Sequence, residues 1–314
     1  QLKTWRGPIS LAVSLQDGYN AEYVNDQISR SIEALKYKTV ARRLAVHVMY
    51  EQKEVHTDLF ILQGQTCVES EMTQATNRSR ETFVADYPIN VVRNVARLFS
   101  STRYIAMADA DYIFSKGFYE KMLSLARKEV PIDSKRALLY RIFEIEQNSI
   151  LDKNFELNKS DLKDIIYSKN GRVFHVREWY RGHSVPRLIE WLHETESDQP
   201  GIFPLQLNNL KYKRYWEFQF VALRDVPMFD ENFPYRADNN LELRWEVCRA
   251  GYDLRLVQDL FVYHILNGAV NAKDDIKKKM SIKSKNRKRF HIAKSKLVER
   301  MRLLYPSTID RCPV

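Results

Sequence analysis

Cysteine is scarce: the 314-residue chain has three, Cys67, Cys248 and Cys312. An odd number with no C-x-x-C pair excludes a dense disulfide scaffold and the usual zinc-binding spacing. One bridge with a free thiol and three reduced thiols both fit the count. Nine glycines and ten prolines exclude collagen-like and low-complexity architecture. No apolar run approaches the ~18–20 residues of a membrane span, and the first residues hold no secretory signal core. No Walker A loop, G-x-G-x-x-G, G-x-S-x-G or H-E-x-x-H occurs. P-loop kinase, hydride-transfer, serine hydrolase and zinc protease readings lose their main support. Against these absences stand 44% hydrophobic and 12% aromatic residues, enough for a sizeable core.

The net charge is +10, from 50 Lys and Arg against 40 Asp and Glu. Between Lys273 and Arg302 there are 13 basic and three acidic residues, an excess equal to that of the whole chain. The body is therefore balanced and the basicity is one C-terminal segment. Its run from Lys283 to Arg289 reads, taken alone, as a nuclear-localisation or polyanion-binding cluster. Phe290, Leu297, Met301 and Leu304 recur there at helical spacing, which predicts an amphipathic helix docked on the body. Two sequons, Asn77-Arg78-Ser79 and Asn158-Lys159-Ser160, are acceptors if the chain passes through the secretory pathway.

Ile9 to Leu15 is a short apolar run after Gly7-Pro8 and reads as a first buried strand. Ala21 to Lys36 reads as a helix, with Val24, Ile28, Ile32 and Leu35 on one face. Arg43 to Tyr50 and Asp58 to Leu62 follow as strands, and this order predicts a parallel α/β sheet. Pro88 to Ser100 predicts a helix whose core face is Val91, Val92, Val95, Ala96 and Phe99, leaving Arg93, Asn94 and Arg97 on the other side. A strand at Arg103 to Ala108, a helix at Lys116 to Arg127 and a strand at Ala137 to Ile145 come next. The pattern weakens from Leu151 to Gly201, with a helix at Val185 to Leu192. Tyr215 to Leu223 is strand-like, Asn239 to Ala250 a helix ended by Gly251, and Leu254 to Tyr263 a last strand.

Asp109-Ala110-Asp111 follows the strand ending at Ala108. Residues i and i+2 of an extended chain point the same way, so the two carboxylates converge where open α/β sheets bind ligands. Paired hard oxygens suit Mg²⁺ or Mn²⁺ beside phosphate oxygens; a solvated turn is the plainer alternative. His264 ends the last strand, either as a structural histidine or as an imidazole ligand. Arg93, Asn94 and Arg97 share a helix side, either solvated or set to recognise a nucleotide. Trp216-Glu217-Phe218 and Phe229-Asp230-Glu231 interleave aromatics with acids, as a sugar site or a core edge does. Asp238, Glu242 and Glu246 share a helix face at spacings of four, either a solvated stripe or the source of a general base.

Several separate stretches together resemble glycosyltransferase family 49, the family of β-1,4-glucuronyltransferase and LARGE-type second catalytic domains. They are Trp5-x-Gly7-Pro8-Ile9-Ser10, Tyr87-Pro88-Ile89-Asn90-x-x-Arg93-Asn94-x-Ala96-Arg97 and the strand running into Asp109-x-Asp111. Phe143-Glu144, Gly182-His183 with Trp191, Trp216-Glu217-Phe218, Val226 to Phe233, Asn239, Glu246 and His264 follow in register. The chain departs from the family pattern at Pro186-Arg187 and at Arg236-Ala237-Asp238-Asn239.

The resemblance implies an α/β GT-A fold with a mostly parallel central sheet flanked by helices. The expected organisation is one catalytic domain, with a nucleotide-binding half over 1–112, an acceptor half over 113–270 and a basic helical segment over 271–314. It implies Mn²⁺ (or Mg²⁺) held by Asp109, Asp111 and His264, and a UDP-sugar donor, UDP-glucuronic acid first, bound through Arg93, Asn94, Arg97 and Asp109. The expected reaction is inverting transfer of glucuronic acid to a glycan acceptor hydroxyl. Asp238, and after it Glu246, is the expected base, and charge complementarity points to Arg141 or Arg236 for the donor carboxylate. UDP-N-acetylglucosamine or UDP-xylose as donor, and a non-enzymatic polyanion binder acting through the tail, are the alternatives. Nucleic acid is not the expected partner, and a homodimer stays open. The implied setting is the Golgi lumen, as a type II membrane protein whose anchor precedes Gln1.

Overall fold

A computed structural model describes residues 4–14, 43–49, 86–150, 155–177, 179–205, 207, 215–266, 280–312 and 314. The helix expected over 21–36, the strand over 58–62, Cys67 and the Asn77 sequon lie outside these residues. Strands β1 (Ile9–Ser14) and β2 (Leu44–Met49) pair in parallel, Ile9 opposite Leu44. Helix α1 (Ile89–Leu98) precedes β3 (Tyr104–Ala106), β4 (Ile113–Phe114), α2 (Phe118–Glu129) and β5 (Arg136–Glu146). Then come α3 (Lys159–Tyr167), β6 (Gly171–Val173), α4 (Tyr180–His183), α5 (Leu188–His193) and β7 (Gln219–Leu223). The last elements are α6 (Leu241–Arg249), β8 (Asp253–Leu266) and α7 (Arg287–Leu304).

Among the described residues the larger sheet has the order β3-β7-β5-β8-β4, with β6 on β5. Its centre is β5, buried from Ala137 to Ile145 on both faces, which explains an apolar run that only Arg141 and Glu144 interrupt. The class is α/β, as expected, but the sheet is mixed rather than mostly parallel. Among the described residues β5–β8, and β1–β2 in a separate two-stranded sheet, run in the same direction; β3–β7, β5–β7, β4–β8 and β5–β6 are antiparallel. Strand periodicity marks which face is buried and carries no direction, so the sequence pattern could not separate the two cases.

Local chemistry sets the helix ends. Asn158 caps α3: its side chain accepts from Asp161 N at 2.8 Å, and Asp161 answers on Asn158 N at 3.1 Å, a capping box. That helix falls where the apolar pattern weakened, and the N-x-x-D spacing was its legible signal. Gly251 follows α6 at φ 84°, a left-handed position that glycine takes without strain.

The C-terminal helix docks as the amphipathic pattern requires. Ala293, Leu297 and Met301 are buried against Phe233, Leu241 and Trp245, with Phe290 at the margin. Leu304, expected in that stripe, is instead 58% exposed at the helix end. Arg300 reaches Glu246 at 2.7 Å, and Asn286 Nδ2 donates to the Tyr235 carbonyl at 3.1 Å. Cys248 on α6 is bonded to Cys312 beyond α7, closing a loop of sequence separation 64. Cross-linking a loop of this length restricts the unfolded chain. Cys312→Ala is therefore expected to lower the unfolding free energy by about 2–4 kcal/mol. Urea unfolding checks this: reductant should reproduce the loss in the wild type and leave the variant unmoved.

Candidate functional site

The turn from Asp109 to Asp111 is fixed on both sides. β3 is hydrogen-bonded to β7, and Tyr140 Oη donates to the Met107 carbonyl at 3.1 Å just before the turn. Tyr112 N donates to the Asp109 carbonyl at 3.2 Å, and β4 then pairs antiparallel with β8, Ile113 opposite Tyr263. In that register the residues preceding Ile113 lie beside those following Tyr263. Asp111 and His264 meet accordingly, Oδ2 to Nε2 at 3.1 Å. The hydrogen bond lowers the Asp111 carboxyl pKa and raises that of the His264 imidazole. Asp109 turns instead toward Arg93 on α1, Oδ1 to Nη2 at 3.7 Å. Asp111 and His264 are in direct contact, while Asp109 lies by Arg93 with its charge also bearing on His264. Among the described residues no three His, Cys, Asp or Glu side chains form a metal-holding group.

Behind this pair lies Glu144, opposite His264 in the parallel β5–β8 register. Glu144 accepts from His175 N at 3.2 Å and is 2.7 Å from Arg172. His175 and His183 pack around Phe174, at 3.9 and 4.9 Å between ring centroids. Burial pushes His183 down to about 3, so it is a neutral imidazole at any working pH. A side chain at Gly182 would strike Trp179, which explains the glycine there. Arg141 donates to the carbonyls of Val185 and Pro186, both at 2.7 Å, with its guanidinium over Trp191. It holds the Gly182–Trp191 element from within, which corrects the expectation that it meets a donor carboxylate.

Helix α1 buries Val92 from its expected core face and, beyond expectation, the side that carries Asn90, Asn94 and Arg97. Asn90, Asn94 and Arg97 are buried at 1–4% exposure, while Leu98 and Phe99 are 65% exposed. The polar side chains clamp the loop after β7. Arg97 donates to the carbonyls of Arg224, Val226 and Pro227, and Asn94 exchanges bonds of 2.9 and 3.0 Å with the Phe229 backbone. Asn90 donates to the Asp230 carbonyl at 2.9 Å. Burial of these groups is tolerable because each finds backbone partners. Arg93 is the member that reaches the site, donating to the Asn239 carbonyl at 3.2 Å and lying 4.9 Å over the Phe229 ring. Beside it opens a cavity of about 640 Å³ whose walls include Tyr87, Arg93, Asp109, Gln219, Phe229 and Asn240.

The acidic residues sort by surroundings. Asp238 holds φ 54° and is partly exposed, 3.9 Å from Lys283. Glu246 is buried between Arg300 and the Tyr305 hydroxyl at 3.3 Å, so a salt bridge occupies the carboxylate expected as a second base. Glu242, fully buried, accepts from Asn90 and from Asp230 N, and burial raises its pKa well above the usual range. Glu217 belongs to the aromatic–acid alternation expected at a sugar site or a core edge. Burial raises its pKa, Asn240 Nδ2 is 3.5 Å away, and its charge bears on Tyr112 together with Asp109 and Asp111. The Trp216-Glu217-Phe218 alternation was its signal: both aromatics are buried and the acid falls between them.

Residues 1–306 match the sequence profile of the family described as "Glycosyl-transferase for dystroglycan", Glyco_transf_49. The chain belongs to glycosyltransferase family 49. Among its curated relatives are the xylosyl- and glucuronyltransferase LARGE2s of Danio rerio, 22% identical over 267 residues, and LARGE1 of Homo sapiens, 21% identical over 267 residues. Each alignment covers 84% of this chain, which spans 28% of the length of either relative. Beta-1,4-glucuronyltransferase 1 of Danio rerio is 22% identical over 344 aligned positions, 99% of this chain and 71% of that one. Among solved structures, GalNAc-T7 with UDP, GalNAc and Mn²⁺ aligns at a TM-score of 0.38 and 12% identity, over 82% of this chain and 37% of that chain. Among the described residues no helix is long and apolar enough to cross a membrane.

The Asp111–His264 pair carries a pH signature in the metal-free protein. The pKa of His264 is raised from 6.5, so its contribution is full below 6.5 and is lost as pH rises through the raised value. The pKa of Asp111 is lowered from 3.8, so the pair also weakens as pH falls through that lowered value. Asp111→Asn is expected to return the His264 pKa toward 6.5, read by NMR titration of the imidazole. An unmoved titration curve would contradict the pairing.

Proposed function

We propose that this chain is a metal-dependent inverting glycosyltransferase that moves glucuronic acid from UDP-glucuronic acid onto a glycan hydroxyl. The observation that carries the reading is the meeting of Asp111 and His264 beside a cavity walled by Arg93 and Asp109. Their 3.1 Å separation fits two neighbouring ligand atoms on an octahedral ion, which with bonds of ~2.1 Å lie about 3 Å apart. Asp111 and His264 are the residues that would hold the ion, with Asp109 at its border. A bound divalent cation would neutralise charge on the diphosphate and favour departure of UDP. Arg93 offers a cation to the donor at the cavity wall, and Arg236, packed over Tyr235, is the guanidinium proposed for the sugar carboxylate. Asn94 and Arg97 act by holding the 224–231 loop that forms part of the wall. Asp238, exposed where Glu246 is not, is the proposed base that takes the acceptor proton.

The proposal includes a Golgi-lumen location as a type II membrane protein; the Cys248–Cys312 bridge supports an oxidising compartment. UDP-xylose as donor is a second reading, favoured by the LARGE relatives, whose names carry both sugars. A panel of UDP-sugars with Mn²⁺ or EDTA separates these by UDP released. UDP-glucuronic acid is expected to lead the panel, and EDTA to abolish release. Asp109→Asn, Asp111→Asn and His264→Ala are each expected to lower turnover by about 10²–10³-fold. Thermal midpoints of the two Asp variants should barely move, since these side chains are 48% and 62% exposed. Full turnover in EDTA would refute the metal-dependent reading.

A further inference from the structure

The outward face of the C-terminal helix carries a charge that its packing does not use. Ala293, Leu297 and Met301 make the buried contact with the body. Lys285, Arg287, Lys288, Lys296 and Arg302 are exposed on the same segment. Their placement even opposes stability. Arg287 to Arg289 occupy the first turn of α7, where the helix dipole is positive and the turn holds no acidic residue; of the three, Arg289 pairs with Asp86. Exposed cations without a packing role are available to a ligand of opposite charge.

The segment begins at the rim of the candidate site. Lys283 lies 3.9 Å from Asp238, and Asn286 is bonded to the Tyr235 carbonyl. Arg289 pairs with Asp86 at 2.7 Å, next to Tyr87, a cavity wall residue whose ring packs edge-on against Tyr235. From that rim α7 runs 18 residues, about 27 Å, far longer than one sugar ring.

We propose that this basic stripe is an acceptor subsite for an extended anionic glycan, which lies along α7 while its terminal hydroxyl enters the cavity. The inference rests on the transferase reading for the identity of the ligand as a glycan. Charge complementarity supplies attraction over the length of the helix, and the adjoining cavity sets which end of the glycan reacts. Being electrostatic and exposed, the attraction weakens as salt rises.

The test replaces Lys285, Arg287, Lys288 and Lys296 together with Gln in the full chain. Fluorescence anisotropy then follows a labelled decasaccharide of polyglucuronic acid and its carboxyl-reduced neutral counterpart, without donor. The wild type is expected to bind the anionic probe, less tightly as salt rises, and the variant to bind it about tenfold or more weakly. The neutral probe should bind weakly and equally to both proteins. The thermal midpoint of the variant should be unchanged or higher, because first-turn cations have been removed. Equal anionic binding by the two proteins overturns the proposal. So does tighter wild-type binding to single-stranded DNA or to phosphatidylserine vesicles than to the anionic glycan. Release of UDP from UDP-glucuronic acid without acceptor is expected to be the same in both proteins. The anisotropy needs no turnover, so a failed subsite and a failed transferase reading give different results.

Discussion

The arrangement of this molecule depends on the pairing of one long strand with two neighbours. β8 runs parallel to β5 on one side and antiparallel to β4 on the other. The first pairing fills the core, because β5 is buried on both faces and the aromatics Phe143, Phe261 and Tyr263 pack across it. The second brings the turn after β3 back over the end of β8. The register of β8 on β5 fixes the core, and its register on β4, Ile113 opposite Tyr263, fixes the approach of Asp111 to His264. A slip of one residue would turn buried side chains outward and separate that pair, so core packing enforces the site geometry.

The elements of the fold were legible where periodicity is strong. β1, β2, β5, β8, α2, α6 and α7 lie within a few residues of their expected positions. What was not legible is the choice of face on α1. The apolar residues there predict one buried stripe, and the helix buries Val92 from it together with Asn90, Asn94 and Arg97 from the other side. Periodicity finds a helix, but which side faces inward depends on what the partner offers. Here the partner is the loop from Arg224 to Asp230, whose carbonyls would otherwise lack donors, and polar side chains satisfy them better than valines do. Strand direction was lost for a related reason: it is a property of the pairing, not of either strand.

The candidate site was legible residue by residue and less so as a constellation. Asp111 and His264, each at the end of a strand, meet as their positions suggest. Asp109, two residues from Asp111, lies 3.7 Å from Arg93 on α1, and its charge bears on His264 without a direct contact being fixed by the sequence. Arg141 and Glu246 have the right charge for chemistry but are held in the interior by Val185, Pro186 and Arg300. Charge type alone cannot distinguish a reactive group from a satisfied structural one; burial and partners decide. The disulfide followed the same logic, since three cysteines allowed several states and only proximity selects Cys248 with Cys312.

The C-terminal helix links the basic tail to the site through contacts of unequal kind. Its apolar stripe and the disulfide hold it to α6. Arg300 then reaches both Glu246 and Asp230, at 2.7 and 3.4 Å. Asp230 belongs to the loop that Asn90 and Asn94 clamp from α1, and the same helix carries Arg93 to Asp109. Buried groups in this series are each satisfied by the next, so displacing one leaves its neighbour buried without a partner. The tail is for that reason part of the site's support as well as its charged border. The neutral body and the basic helix divide the work by exposure: apolar and paired groups face inward, and cations without a packing role face the solvent beside the cavity.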